Sequence, residues 1–205
     1  MTKTAYHHGD LRRTLLDATL ELIAERGVDG FTLREVARRA DVSHAAPYHH
    51  FADRAALVAA LVEESFAQLD QAMHEATESV KNARDRLARL GVAYILWAWH
   101  NPARFRVMWR PELRKCDDPS AVEQAADNSY LIVQETIRQA LPPSRRTEAE
   151  IGSACLAAWS SVHGFSMLLL DGSLSEEPHT EAEIVGMAED LVGRTVRGVL
   201  SLPRL

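Results

Sequence analysis

The chain has 205 residues, a hydrophobic share of 46% and a formal charge of −6 from 23 basic and 29 acidic residues. That is room for one medium domain or two small ones with an ordinary core. With 10 glycines and 8 prolines in the whole chain, helices are favoured over turn-rich architectures. The two cysteines, Cys116 and Cys155, stand far apart without metal-ligand spacing, which leaves the reading of reduced, buried thiols. The first residues are polar and lack the apolar centre of a signal peptide. The longest uninterrupted apolar run, residues 92–99, is too short to cross a bilayer. These features predict a soluble, cytoplasmic protein.

Residues 1–54 hold eight Lys or Arg, eight Asp or Glu and five of the nine histidines, so the whole −6 belongs to residues 55–205. A neutral head on an acidic body lacks the strongly basic footprint of many nucleic-acid binders. Net charge thus gives no sign of DNA binding, and any such sign lies in motif.

In chain order, residues 1–9 read as a flexible arm whose Lys3, Tyr6, His7 and His8 could reach phosphates. Asp10 is the expected N-cap of a first helix, with Leu11, Leu15, Ala18, Leu22 and Ile23 at helical spacing and Gly27 as its C′ residue. Thr32-Leu33-Arg34-Glu35 is a capping box. It opens a short helix with Val36, Ala37 and Ala40 on its apolar side. Asp41 and Val42 make a turn, and Ser43 is the expected N-cap of a helix to about His50. Two helices this short need a third beneath them. Together they predict a helix-turn-helix whose second helix reads the major groove.

Asp53 caps a long helix to about residue 78. It has no Pro or Gly to break it, so it can join head and body as a rigid connector. Further helices are expected at 82–100, from Pro102 to the stop at Pro111, from Asp118-Pro119-Ser120 to 141, from Thr147 to 170, and from Thr180 to 200 before Pro203. No segment alternates with period two. The predicted fold is all-α with about nine helices: an arm (1–9), a helix-turn-helix domain (10–54, motif 32–51), a connecting helix (55–80), and a helical-bundle regulatory and dimerisation domain (81–205).

The motif Thr32-x-x-Glu35-Val36-Ala37, Ala40-x-Val42-Ser43, Tyr48-x-His50-Phe51-x-x-Arg54-x-x-Leu57 resembles the N-terminal domain of the TetR family of bacterial transcriptional regulators, over residues 11–62. One departure is Pro47, where that family often has a bulky apolar residue. Pro47 removes one backbone hydrogen bond to Ser43 from the predicted helix. The resemblance implies that Tyr48, Thr32 and Arg54 donate to phosphates. From the motif geometry, Ser43, His44 and Ala45 begin the reading helix and His49 follows one turn on. Ala45 suits a thymine methyl, and the two histidines suit bases or phosphates. Arg34 is the best-placed group for bidentate guanine contact.

In the body, Trp97, Phe105, Met108, Trp109, Trp159 and Met167 either line a cavity or form solid core. Trp159-x-x-x-His163-Gly164, continuing to Leu168-x-x-Asp171-Gly172, resembles the Trp-His-Gly class of C-terminal domain among TetR-like proteins. That likeness implies an inducer pocket, with His100 and His163 as its polar anchors. No metal site and no cofactor is expected, because His100, Cys116, Cys155 and His163 lack ligand spacing.

Ile184, Ala188, Leu191, Val192, Thr195, Val196 and Val199 form a helical stripe, and Gly164 lies on the preceding helix. They predict a homodimer interface of four helices, or else burial inside one chain. A two-fold dimer would set two reading helices roughly 34 Å apart on a palindromic operator. The functional expectation is a non-enzymatic DNA-binding repressor released by a small molecule. One alternative is a regulator whose body binds a protein. A more remote one is a helical-bundle enzyme, for which the body offers no nucleophile–base pair or inward carboxylate pair.

Overall fold

The computed structural model describes residues 11–109, 120–174 and 179–201. Among these, every regular element is helical. In order they are α1 (Leu11–Arg26), α2 (Leu33–Arg39), a 3-10 turn (Ala46–His49), α3 (Arg54–Thr77), α4 (Ala83–His100), α5 (Pro102–Met108), α6 (Ser120–Ala140), a second 3-10 turn (Pro143–Arg145), α7 (Glu148–Leu170) and α8 (Glu181–Ser201). The expectations placed on Lys3, Tyr6, His7, His8, Asp10, Pro111, Cys116, Asp118 and Pro203 fall outside the described residues.

Polar side chains set the helix starts. Asn82 Oδ1 accepts from the backbone N–H of Arg84 and Asp85 at 2.9 and 3.2 Å, and Asp53 Oδ1 from that of Ala56 at 2.8 Å. Thr147 caps α7 through Glu150 N–H at 3.2 Å. Thr32–Glu35 and Thr180–Glu183 are both full capping boxes, each carboxylate reaching back to its threonine N–H at 2.9 and 2.7 Å. Such caps satisfy donors that a helix start otherwise leaves open.

The helix expected at 43–50 is instead the 3-10 turn Ala46–His49, entered from Ala45 with no side-chain cap. Pro47 supplies the reason. It has no N–H to give to the Ser43 carbonyl, so that carbonyl takes the Ala46 N–H at 2.9 Å, three residues on. The tighter spacing continues with Tyr48 N–H to Ala45 O at 3.2 Å and His50 N–H to Pro47 O at 3.0 Å.

The chain divides into two compact units, Met1–Ser65 with Pro102–Val122, and Phe66–Asn101 with Glu123–Leu205. Sequence order assigned residues 81–205 to one domain, but in space α5 groups with the first unit. There α1 packs on α2 and on α5. The core is built from Leu15, Leu16, Leu22, Val36, Leu57, Leu61, Phe105 and Met108, each no more than 1% exposed. The Arg104 side chain of α5 is 7% exposed and donates to Glu64 Oε1 at 2.9 Å, and Arg13 of α1 meets the same oxygen at 3.2 Å.

In the second unit α4, α7 and α8 pack on one another. Gly91 allows the closest approach: a Cβ there would lie 3.0 Å from both methyls of Val192 and 3.4 Å from Val162. Asp70 and Ser129 join the second half of α3 to α6 by a hydrogen bond, with the Ser129 hydroxyl donating. Arg86 Nη1 of α4 reaches Gln139 of α6 at 3.3 Å.

The structure corrects half of the expected interface stripe. Ile184, Ala188, Val192 and Val196 are 0, 0, 2 and 5% exposed within the single chain. Side chains with almost no accessible surface have none left to bury against a partner. Leu191, Thr195, Val199 and Gly164 are half-buried.

Candidate nucleic-acid interface

In the first unit, residues 33–51 set exposed polar side chains over buried apolar ones. Leu33, Val36 and Ala37 of α2 are buried, while Arg34 and Arg38, one turn apart on the opposite face, are exposed. Val42 half-buries the turn, and Asp41 takes the left-handed conformation at φ 53° that reverses the chain. A short polar side chain tolerates that region better than most. Ser43, His44, Ala45, Tyr48 and His49 are then all exposed, Tyr48 by 55%. Buried Pro47 and Phe51 anchor the segment from below.

The neutral charge count hides an unequal distribution. Arg13 pairs with Asp17 and Glu64, Arg26 with Glu35, and Arg39 with both Glu21 and Glu25. Arg12, Arg34 and Arg38 enter no ion pair among the described residues. Arg12 lies over the Phe51 ring at 5.8 Å. These three guanidinium groups keep an unneutralised positive charge in the first unit. Arg12 and Arg38 were not among the residues singled out from sequence. Only the pairing pattern separates them from Arg13, Arg26 and Arg39.

Two expected phosphate donors are already engaged inside the unit. The Thr32 hydroxyl donates to Glu35 Oε2 at 2.9 Å while accepting from the Glu35 N–H at 3.3 Å. That hydroxyl, then the Arg26 guanidinium at 2.8 Å, holds the Glu35 carboxyl below the ordinary carboxylate range. The Arg54 guanidinium stacks on Phe31 at 4.6 Å and donates to the Val28 carbonyl.

The residues proposed from sequence for an effector pocket divide between the units. Phe105 and Met108 belong to the core of the first, both 0% exposed, with Trp109 edge-on to Phe105 at 6.4 Å. Trp97, His100, Trp159, His163 and Met167 belong to the second. His163 is half-buried. Its Nδ1 shares a 2.9 Å hydrogen bond with the Tyr94 hydroxyl, and its ring lies 5.6 Å from that of Trp159. Burial pushes the His163 imidazole below its ordinary pKa, so a neutral ring with one N–H and one lone pair faces this group. Tyr94 went unnoticed as a partner of His163 because the two are 69 residues apart. His100 departs from the expected anchor role: it is exposed, with Nε2 3.7 Å from Glu181. Trp97 is 7% exposed and Met167 half-buried. No cluster of metal-ligating side chains occurs among the described residues. Cys155 is free and buried, and burial raises its thiol pKa.

Comparison with known proteins divides the chain in sequence order, with α5 inside the second match. Residues 15–61 match the model of bacterial regulatory proteins of the tetR family. Residues 87–191 match the tetracyclin repressor-like C-terminal domain, which alone spans half of the chain. A protein with unknown function from Rhodococcus sp. RHA1 is 33% identical, with a TM-score of 0.77 over 97% of this chain and 100% of that one. The fold is shared with the transcriptional regulator FadR from Bacillus subtilis in complex with stearoyl-CoA, at 16% identity and a TM-score of 0.73 over 91% and 98% of the two chains. It is shared also with AibR in complex with isovaleryl coenzyme A and operator DNA, at 16% identity and a TM-score of 0.69 over 90% and 97%. With residues 15–61 and 87–191 matching two models of the same family on a helical fold, this chain is a member of the tetR family of DNA-binding transcriptional regulators.

Proposed function

We propose that the protein is a homodimeric repressor acting in the cytoplasm, which grips a palindromic operator and releases it when a small molecule enters the second unit. The observation that carries the DNA half is the set of exposed side chains Arg34, Arg38, Ser43, His44, Ala45, Tyr48 and His49 on a buried apolar base. Arg34 suits a guanine edge, His44, Ala45 and His49 suit base edges, and Arg12, Arg38 and Tyr48 suit phosphates. Thr32 and Arg54 act from inside the unit. The test is selection of bound sequences from random duplex DNA at stated salt. A palindrome is the expected product; no enriched sequence at low or moderate salt overturns the reading.

The dimer is supported by α7. One arc of this helix, Ile151, Ala154, Ala158 and Val162, is buried, whereas Leu156, Trp159 and Leu168 stand 58, 38 and 49% exposed on the remainder. Its length and apolar composition would also suit a membrane span, yet only 22% of its most apolar stretch is buried in the chain. In a DNA-binding regulator a second copy of the chain is the natural cover for such a face. The interface then consists of α7, including Gly164, and the half-buried Leu191, Thr195 and Val199 of α8. A chain that sediments as a monomer at micromolar concentration overturns the dimer and leaves α7 to another protein.

The effector site rests on Tyr94, Trp159 and His163, and the resemblance of Trp159-x-x-x-His163-Gly164 to the Trp-His-Gly signature supports a pocket there. Two proteins of this fold hold acyl-coenzyme A molecules, so acyl thioesters of graded chain length are the first compounds to try. The reading predicts release of the selected operator by one chain-length class, and weaker release by the same compound from His163→Ala. A coupling of ~1–3 kcal/mol is sufficient, a 5- to 150-fold change in affinity.

A further inference from the structure

The connection between α1 and α2 is tied at its ends by Arg26 on Glu35 and gripped along its length by Arg54. Its residues 27–31 turn at Gly27, φ 77°, and pass so close to α1 at Gly30 that a Cβ there would lie 2.6 Å from Arg26 Cβ. Next comes Phe31, 3% exposed, and then the capping threonine of α2. Arg54 closes on this connection from the first residue of α3. Its guanidinium lies over the Phe31 ring at 4.6 Å, one Nη2 proton goes to the Val28 carbonyl, Nη2 is 3.8 Å from Asp29, and Nε is buried.

We propose that Arg54 is a positioning residue for DNA binding. It sets the 28–32 connection, and with it the N-terminus of α2 and Arg34, against the start of α3, and it does not itself bond phosphate. The inference rests on the reading that α2 and residues 43–49 face DNA. The chemistry favours an arginine here. A planar guanidinium stacks on an aromatic face while its edge still donates to a carbonyl, and a lysine ammonium can do only one of these well. The Arg54 side chain keeps 36% of its surface exposed, but its guanidinium face and Nη2 are engaged by the connection and its Nε is buried. Arg54 also begins α3, which runs on as one helix to Thr77, so any shift of that helix start is passed directly to the cap of α2.

The test compares the wild type with Arg54→Met, Arg54→Lys and Phe31→Leu, the last keeping an apolar side chain and all charges. Affinity for the selected operator is measured across a salt series, base preference by competition, and amide exchange at residues 32–36 in the free protein. A phosphate contact contributes about 0.9 to the slope of log affinity against log salt. The expected result is a loss of about tenfold in all three variants at every salt, with the slope unchanged. Preference should relax at the base pair read by Arg34, and exchange at 32–36 should quicken. A flatter slope in Arg54→Met that Arg54→Lys restores, with exchange unchanged, overturns the proposal. So does a lowered melting temperature with base preference intact, which would make Arg54 merely stabilising. If Arg54→Met does not fold, Phe31→Leu decides by the same readouts. If the wild type selects no sequence, the DNA-facing reading fails separately, while the exchange data still decide whether Arg54 holds α2.

Discussion

The two units solve the same problem of holding helices together in opposite ways. The second relies on length: α4, α7 and α8 have 18, 23 and 21 residues and bury continuous apolar arcs against one another. The first places its functional groups on a seven-residue helix and a four-residue 3-10 turn, neither of which could stand alone. Point contacts there do what length does elsewhere: the capping box, Arg26 on Glu35, Arg39 on two glutamates, and Arg54 on Phe31. A surface that must present side chains to DNA within a small distance tolerance gains from such discrete constraints. The small-molecule role proposed for the body would in turn be served by long helices able to shift as units.

Substitutions can break this contrast, and the largest effect should come from the second unit's core. Ile95→Ala removes a side chain that is 0% exposed and should cost ~2–5 kcal/mol in denaturant melts, while the operator sequence selected by the surviving folded protein stays the same. Arg34→Ala should do the reverse. It should leave stability within ~0.5 kcal/mol but weaken specific binding by ~1–3 kcal/mol and relax one base position. Equal loss across a randomised operator library would remove its base-reading role. Thr32→Ala sits between them: losing the cap should cost ~1 kcal/mol of stability, together with faster amide exchange at the start of α2.

The smallest effect is the dependence on pH that His163 contributes in the second unit. Burial lowers the pKa of His163 in the folded state, so between that lowered value and the ordinary value of about 6.5 the unfolded chain binds more protons than the folded one. The contribution to stability is therefore complete above about pH 6.5 and falls away as pH drops below it. His163→Gln should flatten this slope in melts recorded between pH 5 and 7.5, about the span over which histidine changes charge.

Much of the first unit was legible because its signals are local. Thr32 and Glu35 are three residues apart, the Asp41 turn adjoins them, and Gly27 ends α1; each acts on backbone within a few residues of itself. The reading segment was legible in place but not in form, since Pro47 converts an expected helix into a 3-10 turn. Arg54 was legible as part of the motif but not in its direction. Its partners Val28 and Phe31 lie more than twenty residues upstream, and nothing in the spacing tells whether a guanidinium turns toward solvent or toward a ring.

By itself, the sequence determined the all-helical class, the caps of α2, α3 and α8, the helix-turn-helix position and the family. All of these follow from periodicity and from groups within one or two turns of each other. Only the tertiary structure decided three further matters. Ile184, Ala188, Val192 and Val196 belong to the chain's own core, α5 sits with the first unit, and among the arginines of residues 11–54 it is Arg12, Arg34 and Arg38 that are left without carboxylates. Each depends on what lies opposite a side chain across space, and a helical stripe or a charge looks the same in one dimension whichever surface it comes to face.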